Sequence, residues 1–185
     1  GAGYGSRVIA HILSKRGRKF RITGIDIDHN SLQIAKKFLP QAELKLIDLT
    51  SDDVMREFSR ESFDLIVASE VIEHIPKELM RKFFENMEYL LKEGGILIIS
   101  TPERDVYDLF TYTEGHINEM TIQELRRLIE EKTRLTILDH FGTAFTKNAI
   151  VKFLTRAGMS ARYRDERREF SRFTQILRGI ILNIL

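Results

Sequence analysis

Two hydrophobic periods take turns along this chain. Apolar positions at Val8, Ile9, Ile12 and Leu13 recur at helical spacing and predict a helix over 6–17, closed by Gly17 with Lys15 and Arg16 in its last turn. Residues 20–27 read as a strand carrying Asp26 near its end. Asp28 or Asn30 is placed to cap a helix over 31–39, which Pro40 stops. Residues 42–47 alternate as a strand does, and Ser51 caps a short helix reaching about residue 58. The run Phe63-Asp64-Leu65-Ile66-Val67-Ala68 is nearly continuous in apolar residues, as in strands covered on both faces. A helix from 76 or 77 to 91 then carries Leu79, Phe83, Met87, Leu90 and Leu91 on one side and ends at Gly94-Gly95. Residues 96–100 form another buried strand, ended by Pro102. Thr121 with Glu124 has capping-box spacing for a helix to about 132. Residues 135–141 read as a strand, and from 145 onward the pattern is helical, with a break at Gly158.

Strand and helix therefore alternate from end to end, which predicts an α/β fold with a doubly wound, mostly parallel sheet. The expected division is a domain over 1–145 and a helical extension over 146–185 packing on it. In such sheets ligands bind at the carboxyl ends of the strands. Residues 1–6, Asp26, Asp48 and residues 69–74 all fall there, and their convergence is the main functional signal.

The loop Gly1-Ala2-Gly3-Tyr4-Gly5-Ser6 opens the first helix. Glycines before a helix let the backbone turn sharply and bring its N–H groups to a ligand. The spacing is G-x-G-x-G, with Ser6 where the dinucleotide fingerprint has its last glycine. Asp26, about twenty residues on, can accept hydrogen bonds from both hydroxyls of a ribose. Such a loop should follow a buried strand, yet the sequence starts on the loop. A natural N-terminal segment supplying the first strand is therefore expected.

Composition narrows the classes. Hydrophobic residues make up 43% and charged residues 30%, a globular balance in a chain of 185 residues, sized for one domain. A net charge of +2 gives no large basic field, so nucleic acid is not the expected partner. There is no cysteine, which excludes disulfides and thiolate metal sites and fits a cytoplasmic protein.

The series GAGYGS, GIDID, LIDL, FDLIVASEVIEHIP and LLKEGGILIISTPE resembles the class I S-adenosylmethionine-dependent methyltransferases. Within them it is most similar to the branch of ubiquinone-biosynthesis O-methyltransferases. The likeness covers residue 1 to about 128. It implies a Rossmann-like fold and S-adenosyl-L-methionine as cofactor. Gly1, Gly3 and Gly5, with Ala2 among them, would lie against its methionine part. Asp26, beside Ile27, would bind the ribose hydroxyls. Asp48 would accept from the adenine amine with Leu49 beside the ring, and Ser69 and Glu70 would line the methyl-facing edge. The family's acidic residue two positions before the first glycine has no counterpart in the sequence.

Methyl transfer relieves a sulfonium charge, so a base is needed only when the nucleophile must lose a proton. Glu70, Glu73 and His74, in Glu70-Val71-Ile72-Glu73-His74, are the catalytic candidates. The same residues with His116 could hold a hard metal ion, and related methyltransferases bind a divalent ion through two Glu and two His. The reading preferred here has no metal: Glu73 and His74 pin the loop and the start of the following helix. Residues 163–185 mix Arg167, Arg168, Arg172 and Arg178 with Phe170, Phe173, Ile176, Ile180 and Leu185, a basic amphipathic helix. It would pack on the domain, join two copies in a homodimer, or meet a membrane surface bearing a lipid-like acceptor. The expected activity is O-methylation of a small or lipid-like molecule. The rivals are a metal-assisted RNA 2′-O-methyltransferase, a binding protein without catalysis, and, furthest, a nicotinamide dehydrogenase.

Overall fold

A computed structural model describes residues 1–104 and 115–140. Gly1–Arg7 with Arg21–Leu138 form one compact unit, and Val8–Phe20 belongs to a second. Every candidate site residue lies in the first. The helical region expected over 146–185 falls outside the described residues.

Helix α1 (Tyr4–Lys15) buries Ile9, Ala10 and Ile12. It ends as the sequence predicts. Gly17 takes φ +64°, its N–H reaches Ser14 O, and the Arg18 N–H reaches Leu13 O, the paired bonds of a Schellman cap. Strand β1 (Thr23–Asp26) leads into α2 (His29–Phe38). Then come β2 (Glu43–Leu46), α3 (Asp53–Glu57) and β3 (Phe63–Ser69). Two single 3₁₀ turns, Ile72–His74 and Lys77–Leu79, precede α4 (Met80–Leu90). Strand β4 (Leu91–Ser100) and helix α5 (Ile122–Lys132) complete the order.

All strand pairing among the described residues is parallel. β1 pairs with β2, Asp26 opposite Leu46, and β3 pairs with β4, Ser69 opposite Ser100. These are two separate two-stranded sheets among the described residues. Residues 135–140, expected as a strand, find no ladder partner there, and Leu138 is 77% exposed. Without a partner for its N–H and C=O groups, extended chain of this kind does not count as sheet.

The core gathers where α4 lies on β3 and β4. Phe83, Phe84, Met87 and Leu90 are all but fully buried with Val54, Ile72 and Met80, and the two Phe rings meet edge to face at 5.2 Å. Each such side chain stabilises the fold by about 1.5–3 kcal/mol. One polar group enters this layer. Asn86, fully buried, donates through Nδ2 to Leu49 O and Ser51 O, 2.9 Å each. α4 thereby fixes the loop that follows β2.

Candidate functional site

The site is assembled at the carboxyl ends of the strands. Gly3 has φ +78°, which a side chain rarely adopts, and a Cβ there would stand 3.2 Å from both Ala35 Cβ and Leu39 Cδ1 of the α2 segment. Only glycine lets the loop lie this close to α2. At Gly1 and Gly5 a Cβ would meet nothing, so bare backbone there borders open space. The Gly1 nitrogen lies against the Asp26 carboxylate, whose Oδ1 accepts the Asp28 N–H at 2.8 Å. Ile27, next to it, is 73% exposed.

Asp26 is free for this position because Asp28 does the capping. Asp28 accepts from Asn30 N at 3.1 Å and from Ser31 N at 2.9 Å, and its N-cap backbone is extended. The Ser31 hydroxyl, foremost, and these N–H groups hold the Asp28 carboxyl below its usual range.

Asp48 stands just past β2. Its Oδ1 accepts both Thr50 N and Thr50 Oγ1 at 2.7 Å, the bonds of an Asx turn. One carboxylate oxygen thus shapes the turn, while Oδ2 has no such bond among the described residues. Leu49 beside it is half-buried. Sequence reasoning missed Asn86, which holds this loop from below. The signal was present: Asn86 is the one polar residue at a buried position of an otherwise apolar helix face.

At the ends of β3 and β4 the side chains interlock. The Ser69 and Ser100 hydroxyls are 2.7 Å apart, and Ser100 Oγ donates to Glu70 Oε1 at 2.8 Å. Glu70 sits at φ +53°, an uncommon conformation for a residue with a side chain, while its N–H donates to Ser100 O at 2.9 Å. That bend turns its carboxylate back across the end of β4. Ser100 and Thr101 were not singled out from the sequence, since only the β3–β4 register brings Ser100 opposite Ser69, and Thr101 follows it to Glu73.

Glu73 is fully buried, and its carboxylate accepts Thr101 Oγ1 at 3.0 Å through Oε2. Oε1 has no partner among the described residues. Burial, foremost, pushes its carboxyl above the usual range, and the Glu70 charge adds to this. The Glu73 backbone carbonyl accepts Ile117 N and Asn118 N at 2.9 and 3.0 Å, so this residue holds the segment at 115–119, which the sequence reading had not assigned to it. That segment brings His116 to His74, ring centres 5.0 Å apart. His74 Nδ1 bonds Gly115 O at 2.9 Å, and His116 Nδ1 bonds Glu119 Oε1 at 2.7 Å. A carbonyl and a carboxylate can only accept, so both Nδ1 atoms carry hydrogen and both Nε2 atoms are left for other partners. Ligand atoms of Glu73, His74 and His116 lie within 4.8 Å of one another, and Glu70 stands outside that group.

Comparison with known proteins gives the family and the fold. A family model described as a methyltransferase domain matches residues 1–99. The ubiquinone biosynthesis O-methyltransferase of Coxiella burnetii is 28% identical over 111 residues, 60% of this chain and 45% of that protein. The chain spans about half the length of the curated relatives it matches. Among solved structures, the DszA carbon methyltransferase superposes with a TM-score of 0.59 at 21% identity, over 79% of this chain and 42% of that one. A methyltransferase from Archaeoglobus fulgidus gives 0.56 at 13% identity, over 80% and 72%. These likenesses show a Rossmann-like α/β fold. Matched over more than half of its length, this chain belongs to the methyltransferase-domain family, the class I methyltransferases whose cofactor is S-adenosylmethionine.

Proposed function

We propose that this chain holds S-adenosylmethionine between the glycine turn and Asp26 and methylates an oxygen of a small or lipid-like hydroxylated molecule. The observation that carries this is Asp26, kept out of helix capping by Asp28 and set against the glycine turn. The fit is chemical. Ribose hydroxyls and the adenine amine are donors, and Asp26 and the open Oδ2 of Asp48 are acceptors. Gly1, Ala2, Gly3 and Gly5 offer backbone beside that carboxylate, with Ile27 and Leu49 as the apolar surfaces, and Ser69 and Glu70 stand where the acceptor would enter. When bound, the cofactor supplies an electrophilic methyl group. The chain's part is to orient the acceptor and take its proton.

Oxygen as the acceptor atom is supported by the relatives named O-methyltransferase and by the carboxylates at this edge. The direct test incubates the full chain with methyl-labelled cofactor and a panel of catechols, long-chain phenols and RNA. Label in the hydroxylated small molecules is expected. Label in RNA alone would favour the RNA enzyme, and bound S-adenosylhomocysteine with no transfer to anything would favour a binding protein. The basic amphipathic pattern over 163–185 supports contact with a membrane carrying a lipid-like acceptor, which sedimentation with anionic vesicles would check.

A second reading has one observation behind it. Glu73, His74 and His116 converge with both Nε2 atoms left for other partners, a set suited to a divalent transition ion. In that case manganese should raise the melting temperature and a chelator should abolish activity. If the three residues are scaffold alone, neither reagent has any effect.

A further inference from the structure

The hydroxyls at the ends of β3 and β4 form a directed chain. Ser100 has one hydrogen, and it is donated to Glu70 Oε1 at 2.8 Å. Its 2.7 Å contact with Ser69 must therefore be made by the Ser69 hydrogen, donated to Ser100 Oγ. The order is fixed: Ser69 to Ser100 to Glu70. Ser69 then has lone pairs left to accept a hydrogen bond and no hydrogen left to give. Ser69 and Glu70 are both exposed, whereas Glu73, which accepts Thr101 one residue along, is buried. A proton reaching Glu70 can leave to water.

From this arrangement we infer that Ser69, Ser100 and Glu70 are a proton relay that deprotonates the methyl acceptor. The inference rests on the oxygen-acceptor reading above. Ser69 alone touches the acceptor. As the acceptor O–H bond breaks, its proton passes to Ser69 Oγ, the Ser69 proton to Ser100 Oγ, and the Ser100 proton to Glu70 Oε1. The acceptor oxygen uses the released pair to bond the methyl carbon while the carbon–sulfur bond breaks, its pair left on sulfur. Glu70 then returns its proton to water. The left-handed backbone at Glu70 has a purpose in this scheme, because in an ordinary strand conformation the carboxylate would continue outward instead of folding onto Ser100.

The test compares two probes that differ in whether a proton must be removed. Catechol carries its proton in mildly alkaline buffer, and 4-nitrocatechol is already ionised. Ser100→Ala should slow catechol methylation by about 10²-fold, the scale of general-base help. It should leave 4-nitrocatechol methylation and the affinity for S-adenosylhomocysteine nearly unchanged. Ser100→Thr, which keeps the hydroxyl, should recover most of the catechol rate, and Glu70→Gln should slow catechol methylation as Ser100→Ala does. Equal losses on both probes, or a wild-type catechol rate in Ser100→Ala, would overturn the relay and leave the methyltransferase reading standing. A wild-type chain that binds S-adenosylhomocysteine but methylates neither probe would sink the oxygen-acceptor reading and the relay with it.

Discussion

Replacing Glu73 with Gln exchanges one buried oxygen for an amide nitrogen, so it removes a charge while keeping the shape. The wild-type carboxyl has one acceptor bond, from Thr101 at 3.0 Å, and an Oε1 with no partner among the described residues. Burial holds it above the ordinary value of 4.5. Below that pH both the folded and unfolded chains keep the proton, and the two proteins differ by a constant. That constant includes about 1–3 kcal/mol for whichever buried polar atom lacks a partner. As pH rises from 4.5 toward the raised folded value, the unfolded carboxyl ionises and the folded one resists. Wild type therefore loses stability relative to Glu73→Gln, by up to about 1.4 kcal/mol for each pH unit in that window. Above the folded value the deficit levels off. Urea unfolding of both chains at a series of pH values reads this slope directly. The reasoning fails if wild type gains on the variant as pH rises, because its carboxylate would then be held ionised by a partner at Oε1. A divalent ion would do that, and the gain would vanish with chelator.

Three further substitutions separate fold from site. Gly3→Ala combines a φ of +78° with Cβ contacts of 3.2 Å. It should cost about 1–2 kcal/mol from conformation and about 1–3 kcal/mol from crowding, seen as a lower melting temperature and weaker S-adenosylhomocysteine binding. Asp28→Ala removes the α2 cap and should cost about 1 kcal/mol in urea unfolding. Cofactor affinity should be kept, because the Asp28 backbone N–H that holds Asp26 remains. Thr121→Ala breaks the capping box with Glu124 and should also lower urea stability by about 1 kcal/mol, with no effect on binding.

Local chemistry was readable from the sequence and long-range pairing was not. The caps at Gly17 and Thr121 follow from residues within five positions of the helix ends, and of the two candidates Asp28 and Asn30 the structure uses Asp28. The apolar run at 63–68 did become a strand beside a parallel partner. The start of β4 was misplaced: Leu91 to Gly95 reads as a helix end, but Phe63 opposite Leu91 draws the strand back to it. The stretch at 76–79 begins with a 3₁₀ turn at Lys77–Leu79 where the pattern read α-helix, since i and i+3 spacing suits both. Residues 69–74 were singled out from the sequence, and their hydrogen-bond partners Ser100 and Thr101 were not. Nothing within β4 itself shows that its last hydroxyls will stand opposite Ser69. His116 was read from the sequence as a companion of Glu73 and His74 in a metal set, and the Glu73 carbonyl that brings it to His74 was not foreseen.

The central claim is that Asp26 and the glycine turn hold the cofactor. The measurement that bears on it most directly is calorimetric titration of S-adenosylhomocysteine into the full chain and into Asp26→Ala. Losing hydrogen bonds to a charged acceptor should weaken binding by about 1.5–3 kcal/mol, a factor of about 10–150 in Kd. Unchanged affinity in Asp26→Ala would contradict the claim, and tight binding of NADH in place of S-adenosylhomocysteine would transfer the site to the dehydrogenase reading.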